Sequence, residues 1–292
     1  MRFQVTGELD YRVDFPSTLI LNVHAQQSPG QTILHESFSV EPRVRVEKFL
    51  SSSDAENRLV RLQVGRKKEL HIRYSAEVET EVQLIPEAEI GAVPVGGIQR
   101  DAIPYLFPSR YCQSDKLARL AWDLFGEITN PLERVTKIVD WIHDNVEYLP
   151  GSTNAQTSAF DSVTQRTGVC RDFAHLGIAL CRALNIPARY VGAYACQLEP
   201  PDFHAVFEAQ IDGRWLVFDP TRLASPNGLV RIATGRDAAD AAVASIFGRV
   251  TCTRMEVSCV PAEGQTYTPL SRRQLAHKGV ALGSRGVTQD ER

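Results

Sequence analysis

Two stretches of this sequence carry residue types whose spacing can do covalent chemistry. The first, GVCRDFAHL at residues 168–176, places Cys170 where an apolar repeat of helical period begins. Cys170, Phe173, Gly177, Leu180 and Leu184 fall three or four residues apart and make one stripe, which predicts a helix. A buried structural cysteine would also fit that stripe. Gly168 before it and Arg171 and Asp172 after it, however, put the thiol in the helix's first turn. There the unpaired backbone N–H groups and the helix dipole favour a thiolate, the nucleophilic form of cysteine. Cys181 lies three turns further along, with Arg182 as its charged neighbour, and reads as core.

The second stretch, HAVFEAQIDGRWLVFDPT (204–221), has Asp212-Gly213 between two alternating runs, a strong local hairpin signal. If those two residues form the turn, Ile211 faces Arg214, Phe207 faces Phe218 and Val206 faces Asp219. Side chains alternate along a strand, so His204, Val206, Trp215, Val217 and Asp219 share one face. His204 then lies diagonal to Asp219 at roughly 7 Å between backbone positions, within reach of an imidazole and a carboxylate that lean together. A bulge or a one-residue change in the loop would separate them. The competing His175 sits on the cysteine's own helix, five residues on. That is about 500° of rotation, which leaves it about 140° away from the thiol. It reads as a packing or hydrogen-bonding residue. Cys170, His204 and Asp219 supply a thiol, a base to take its proton and an acid to hold the base's tautomer.

The run TGVCRDFAHLGIALCRALNIPARYVGAY, followed by HAVFE and RWLVFDPT, resembles the transglutaminase-like superfamily of papain-type cysteine enzymes, in its bacterial branch. PSRYCQSD (108–115) and the β-rich N-terminus are similar to that branch as well, so the resemblance spans roughly residues 1 to 225. It implies Cys170 as nucleophile, His204 as base and Asp219 as orienter. Many relatives carry tryptophan two residues after the histidine; this chain has Val206 there. The resemblance also implies an α+β fold, with a papain-like core in which the cysteine helix packs on an antiparallel sheet.

These residues need elements to hold them. Residues 1 to about 90 repeat short alternating runs (YRVDF, TLILNVHA, ILHESFSV, RVRVEKFL, RLVRLQV, ELHIRYSAEVETEV) broken by turn-rich QQSPGQ and SSSDAEN. They predict an antiparallel β-sandwich of six or seven strands. IPEAEIGAVPVGGIQ (85–99) marks a linker. Asn130, Pro131 and Glu133 form a helix start, with Leu132, Val135, Ile138, Val139, Ile142 and Val146 as its buried face. The polar segment 150–168 is expected to be a flexible loop able to cover a substrate, and 236–247 a short alanine-rich helix. The expected division is a β-sandwich domain over 1–95, a catalytic domain over 96–268 and a disordered tail over 269–292.

Composition narrows the function further. Lys and Arg number 32 against 35 Asp and Glu, a net charge of −3. No basic cluster interleaves with aromatics, so no nucleic-acid footprint is present. No apolar run suits a signal peptide or a membrane span, which leads to an expected cytoplasmic location without a membrane partner. The six cysteines show no C-x-x-C pair and no spacing with histidine that suits a metal, so no metal and no cofactor is expected. Most should be reduced and buried. The reading is a thioester-forming hydrolase of amide or peptide bonds, acting on a peptide or protein. Its rivals are a protein-crosslinking transglutaminase and a catalytically idle peptide-binding module. The Cys170 N–H is the first oxyanion donor in this reading, with Gln165 and Tyr148 open as the second. Oligomeric state is left open.

Overall fold

The computed structural model describes residues 1–49 and 57–283; residues 51–56 of the expected SSSDAEN turn lie outside it. Seven strands come first: β1 (Arg2–Val13), β2 (Ser17–Leu21), β3 (Gln31–Glu41), β4 (Arg45–Lys48), β5 (Val60–Val64), β6 (Glu69–Thr80) and β7 (Val82–Pro86). There follow α1 (Ser114–Phe125), α2 (Pro131–Asn145), β8 (Glu147–Tyr148), α3 (Ala159–Gln165), β9 (Thr167–Gly168), α4 (Cys170–Ala183), β10 (Ala188–Ala195), β11 (Phe203–Ile211), β12 (Arg214–Phe218) and β13 (Leu229–Gly235). The chain continues through α5 (Ala238–Ala241), β14 (Ala244–Phe247), β15 (Val250–Pro261), α6 (Arg272–Leu275) and β16 (Lys278–Leu282).

The N-terminal strands form two antiparallel four-stranded sheets, ordered β15-β1-β6-β3 and β14-β2-β5-β4. Strict alternation in β1, β2 and β6 buries Phe3, Val5, Leu19, Leu21, Leu70 and Ile72 in one apolar cluster, as a two-layer β core requires. The layer that carries His204 is a third antiparallel sheet, β12-β11-β10-β13. Helix α4 lies against it, with Phe173, Leu176, Leu180 and Leu184 buried. The α+β fold, a papain-like core behind a β-sandwich, is therefore present.

Helix α2 starts as its sequence dictates: the Asn130 side chain accepts the Glu133 N–H at 3.1 Å, and all six apolar positions are buried. Helix α4 meets β11 where Gly177 leaves room for Phe207; a Cβ there would fall 2.5 Å from the ring. Across the sheet, Glu208 of β11 is buried between Arg189 at 2.6 Å and Arg231 at 3.4 Å, tying β10, β11 and β13 together.

Four expectations require correction. The segment 150–168 is not an open loop, because α3 forms within it: Ser158 donates to Asp161, whose carboxylate also accepts the Ser158 backbone N–H. Its preceding loop is tied down too, with Thr153 donating to Asp172 at 2.6 Å. The boundary at 95/96 is crossed twice, since β14 pairs with β2 and β15 pairs with β1 from Phe3↔Pro261 to Val13↔Val250. The last two strands of 96–268 thus complete the sandwich. The tail from 269 is structured to residue 283: α6 forms, and β16 pairs antiparallel with β7. The rest of that tail, 284–292, lies outside the described residues. The alanine-rich helix over 236–247 shrinks to α5, and Ala244–Phe247 is strand.

Candidate active site

Cys170 is the first residue of α4 and is half-buried. Val169, the residue ahead of the helix, has no polar side chain with which to cap it. Asp172 does that work instead, accepting the Val169 N–H at 3.0 Å and the Thr153 hydroxyl while fully buried. The Asp172 and Phe173 amides donate to the Val169 carbonyl. The Cys170 N–H, at the first position of the helix, has no acceptor within it.

The hairpin has the expected register. Asp212 and Gly213 adopt φ of 54° and 71°, the left-handed pair a tight two-residue turn demands. Ile211 pairs with Arg214 and Phe207 with Phe218. His204 and Asp219 consequently meet, Nε2 to Oδ2 at 2.8 Å, with both side chains almost fully buried. The Nδ1 edge of the ring is left for the Cys170 side chain, which lines the same cavity beside His204. All three residues predicted from the sequence are brought together.

The charge balance follows from these contacts. Burial acts to lower the His204 pKa, but the Asp219 charge and hydrogen bond, joined by Cys170, outweigh it and push it up to about 10. Burial would raise Asp219, yet His204, the Thr221 hydroxyl and the Ala224 N–H hold it below the carboxylate range. Thr221 donates to Oδ1 through its N–H (2.9 Å) and its hydroxyl (2.6 Å), and Ala224 N–H donates to Oδ2 at 3.1 Å. The role of Thr221 was missed by sequence reasoning. The Asp-Pro-Thr turn was its signal, because Asp side chains bind backbone N–H groups two residues on.

Of the two residues left open as the second donor, Tyr148 is at the site and Gln165 is not. The parallel β8–β9 pair sets Tyr148 opposite Gly168, two residues before the cysteine. The Tyr148 hydroxyl lies close to both the backbone N–H and the side chain of Cys170. Burial and then the Cys170 charge push its pKa up to about 12. Gln165 is exposed at the end of α3 and does not line the cavity. Val206, where relatives carry tryptophan, is buried in a separate apolar cluster and does not line the cavity either.

A cavity of about 450 Å3 opens onto Cys170 and His204. One wall is aromatic, Tyr111 and Tyr190, and the other is made of small residues between Ala238 and Ser245. His175 holds those walls together. Fully buried, it stacks on Tyr111 at 5.0 Å and accepts the Ala238 N–H on Nε2 at 3.1 Å. Burial and the nearby Arg171 and Arg182 charges keep it well below its ordinary pKa, so it stays neutral. Among the described residues no cluster of His, Cys, Asp and Glu suits a metal ion. No described helix is long and apolar enough to cross a membrane.

Comparison with known proteins gives a consistent set of relatives. Residues 118–220 match the transglutaminase-like superfamily, and residues 1–101 match the N-terminal domain of bacterial transglutaminases. A solved structure named a putative cysteine protease, from Cytophaga hutchinsonii, is 52% identical, covers 97% of each chain and has a TM-score of 0.93. The uncharacterized protein ML0607 of Mycobacterium leprae is 26% identical over 262 residues, 82% of this chain and 91% of the relative. The uncharacterized protein Rv2569c of Mycobacterium tuberculosis is 34% identical over 127 residues, 38% of this chain and 40% of the relative.

Proposed function

From the premise that this chain belongs to the transglutaminase-like superfamily, we propose that it is a cysteine-nucleophile hydrolase of amide or peptide bonds in peptides or proteins. We further propose that it works in the cytoplasm, where its six unpaired cysteines stay reduced. The observation that carries the catalytic reading is His204, bonded to Asp219 at 2.8 Å and sharing one cavity with Cys170.

The Cys170 thiolate attacks the carbonyl carbon, and the oxyanion that develops is met by the Cys170 N–H and the Tyr148 hydroxyl. His204 gives its proton to the leaving amine; the C–N bond breaks and a thioester remains. Water then adds to the thioester. His204 takes the water's proton, the C–S bond breaks, and the thiolate and the free acid are released. Asp219 holds the ring in place throughout and stabilises its charged form.

Water is favoured over a second amine because Cys170 is half-buried beside an open cavity, with polar Thr153, Asn154 and Arg171 close by. A transferase must keep water from its thioester. The test offers a glutamine- or amide-containing acyl donor together with rising primary amine, and measures free acid and conjugate in one reaction. Free acid should dominate, and Cys170→Ala should abolish both products. Conjugate dominating at millimolar amine would make the protein a crosslinking enzyme. No product from a broad donor panel would make it a binding module.

A further inference from the structure

Strand β14 ends its sheet, in the order β14-β2-β5-β4, so among the described residues one of its edges is open. Its backbone directions follow from the register. The Asn22 N–H donates to the Val243 carbonyl at 2.8 Å, while Ser245 lies opposite Ile20 and Phe247 opposite Thr18. Bonding alternates along an antiparallel pair, so Val243, Ser245 and Phe247 turn their backbone groups to β2, and Ala244 and Ile246 turn theirs outward. No described residue pairs with that outward edge. Its sequence, Ala-Ser-Ile-Phe, holds neither the charge nor the proline by which proteins blunt an edge strand. Ile246 is 40% exposed and Phe247 60%.

The edge leads into the candidate active site. Ala244 and Ser245 line the same cavity as Cys170 and His204. We propose that an extended stretch of the substrate polypeptide adds to the open edge of β14 as a further strand, which delivers its scissile amide to Cys170. This inference rests on the acyl-transfer reading above and names its substrate class: an unfolded or loop segment, read through its backbone. Gly192, Ala205, Ala238 and Ala241 line the cavity and leave room in it for a residue of the entering strand. The sandwich is then part of the substrate site, because β14 is held in place by β2. A polypeptide is the occupant rather than a second copy of this chain because the four-residue edge runs directly into the reactive cavity.

The probe is a vinylogous alanine, a Michael acceptor that forms a thioether with cysteine, flanked by four alanines on each side. Its control is the same acceptor bearing only acetyl and amide caps. Labelling of Cys170, followed by intact mass, should be at least about tenfold faster with the long probe, since several backbone hydrogen bonds each add a modest gain. Ile246→Pro removes an outward N–H at a position where an edge strand tolerates proline. It should abolish the advantage of the long probe and leave the short-probe rate unchanged. On the unaltered protein, N-methylating alternate residues of the long probe should remove the advantage for one alternate set and keep it for the other. Equal long- and short-probe rates, or an advantage that survives both Ile246→Pro and both methylation sets, would overturn the proposal. So would a micromolar dimer that Ile246→Pro dissociates, which would assign the edge to a second copy. Failure of both probes to label Cys170 at all would overturn the acyl-transfer reading, and this inference with it.

Discussion

Replacing Asp219 with asparagine removes a charge while leaving an amide oxygen at the Oδ1 position for the two Thr221 donors. His204 moves from an ordinary 6.5 to about 10 in the folded protein, which favours the imidazolium by about 5 kcal/mol at about 1.4 kcal/mol per pKa unit. That value lies above the ordinary one. The stabilisation is therefore whole below about pH 6.5 and disappears as pH rises through about 10. The share of Asp219 runs the other way and is lost as pH falls below its lowered pKa. Without the carboxylate, burial acts against Cys170 alone, and the ring is neutral at pH 7. The thiolate then has no cation beside it. The assay is the pH dependence of iodoacetamide labelling at Cys170, resolved by peptide mapping. The unaltered protein should label there at pH 6 while Cys112 and Cys181, pushed far up by burial, stay untouched. Asp219→Asn should lose at least about tenfold in rate at pH 6. Superimposable profiles for the two proteins, or labelling spread evenly over the cysteines, would refute the ion-pair reasoning.

Gly177→Ala should destabilise the protein by about 1–3 kcal/mol through overpacking against the buried Phe207 ring, despite a gain of about 1 kcal/mol in helix propensity. Urea unfolding checks it, and Phe207→Leu in the same chain should restore much of the loss. Glu208→Ala leaves Arg189 and Arg231 without their shared buried carboxylate and should cost about 3–5 kcal/mol. An unchanged unfolding midpoint would show that the cluster is not needed to hold β10, β11 and β13.

The candidate site residues were legible because their placement depends on short-range rules. A helical stripe locates Cys170, and the Asp212-Gly213 turn sets the register that brings His204 to Asp219. The choice between Tyr148 and Gln165 was not legible, because it depends on β8 pairing in parallel with β9 across an intervening helix. Helix α1 went unread although Leu117, Ala121 and Phe125 mark its buried face at helical spacing. Strands β14 and β15 were hidden for a different reason. Each borrows its partner from the first strands of the chain, and local pattern carries no record of a partner more than two hundred residues away. The open edge beside the cavity exists only because of that return.

The C-terminal segment turns the same contrast into a prediction. Its polar sequence suggested a tail, yet Val280 and Leu282 are buried, and β16 pairs with β7 from Val82↔Leu282 to Pro86↔Lys278. Gly279 passes so close to β12 that a Cβ there would lie 2.6 Å from Leu216. The segment also closes a cavity of about 590 Å3 whose lining includes Asp219, Tyr267, Leu270, Leu275 and Val280. A chain stopped after Thr268 loses Val280 and Leu282 from the core, worth about 3–6 kcal/mol together at about 1.5–3 kcal/mol per buried side chain. It also opens the back of Asp219 to water, which weakens the hold of that carboxylate on His204. A chain stopped after Gly283 keeps β16 and is the reference. Relative to it, the shorter chain should show a lower unfolding midpoint and slower Cys170 labelling at pH 6, where the imidazolium is needed most. Equal midpoints and equal rates for the two chains would mean that β16 merely lies on the sheet and supports neither the core nor the site.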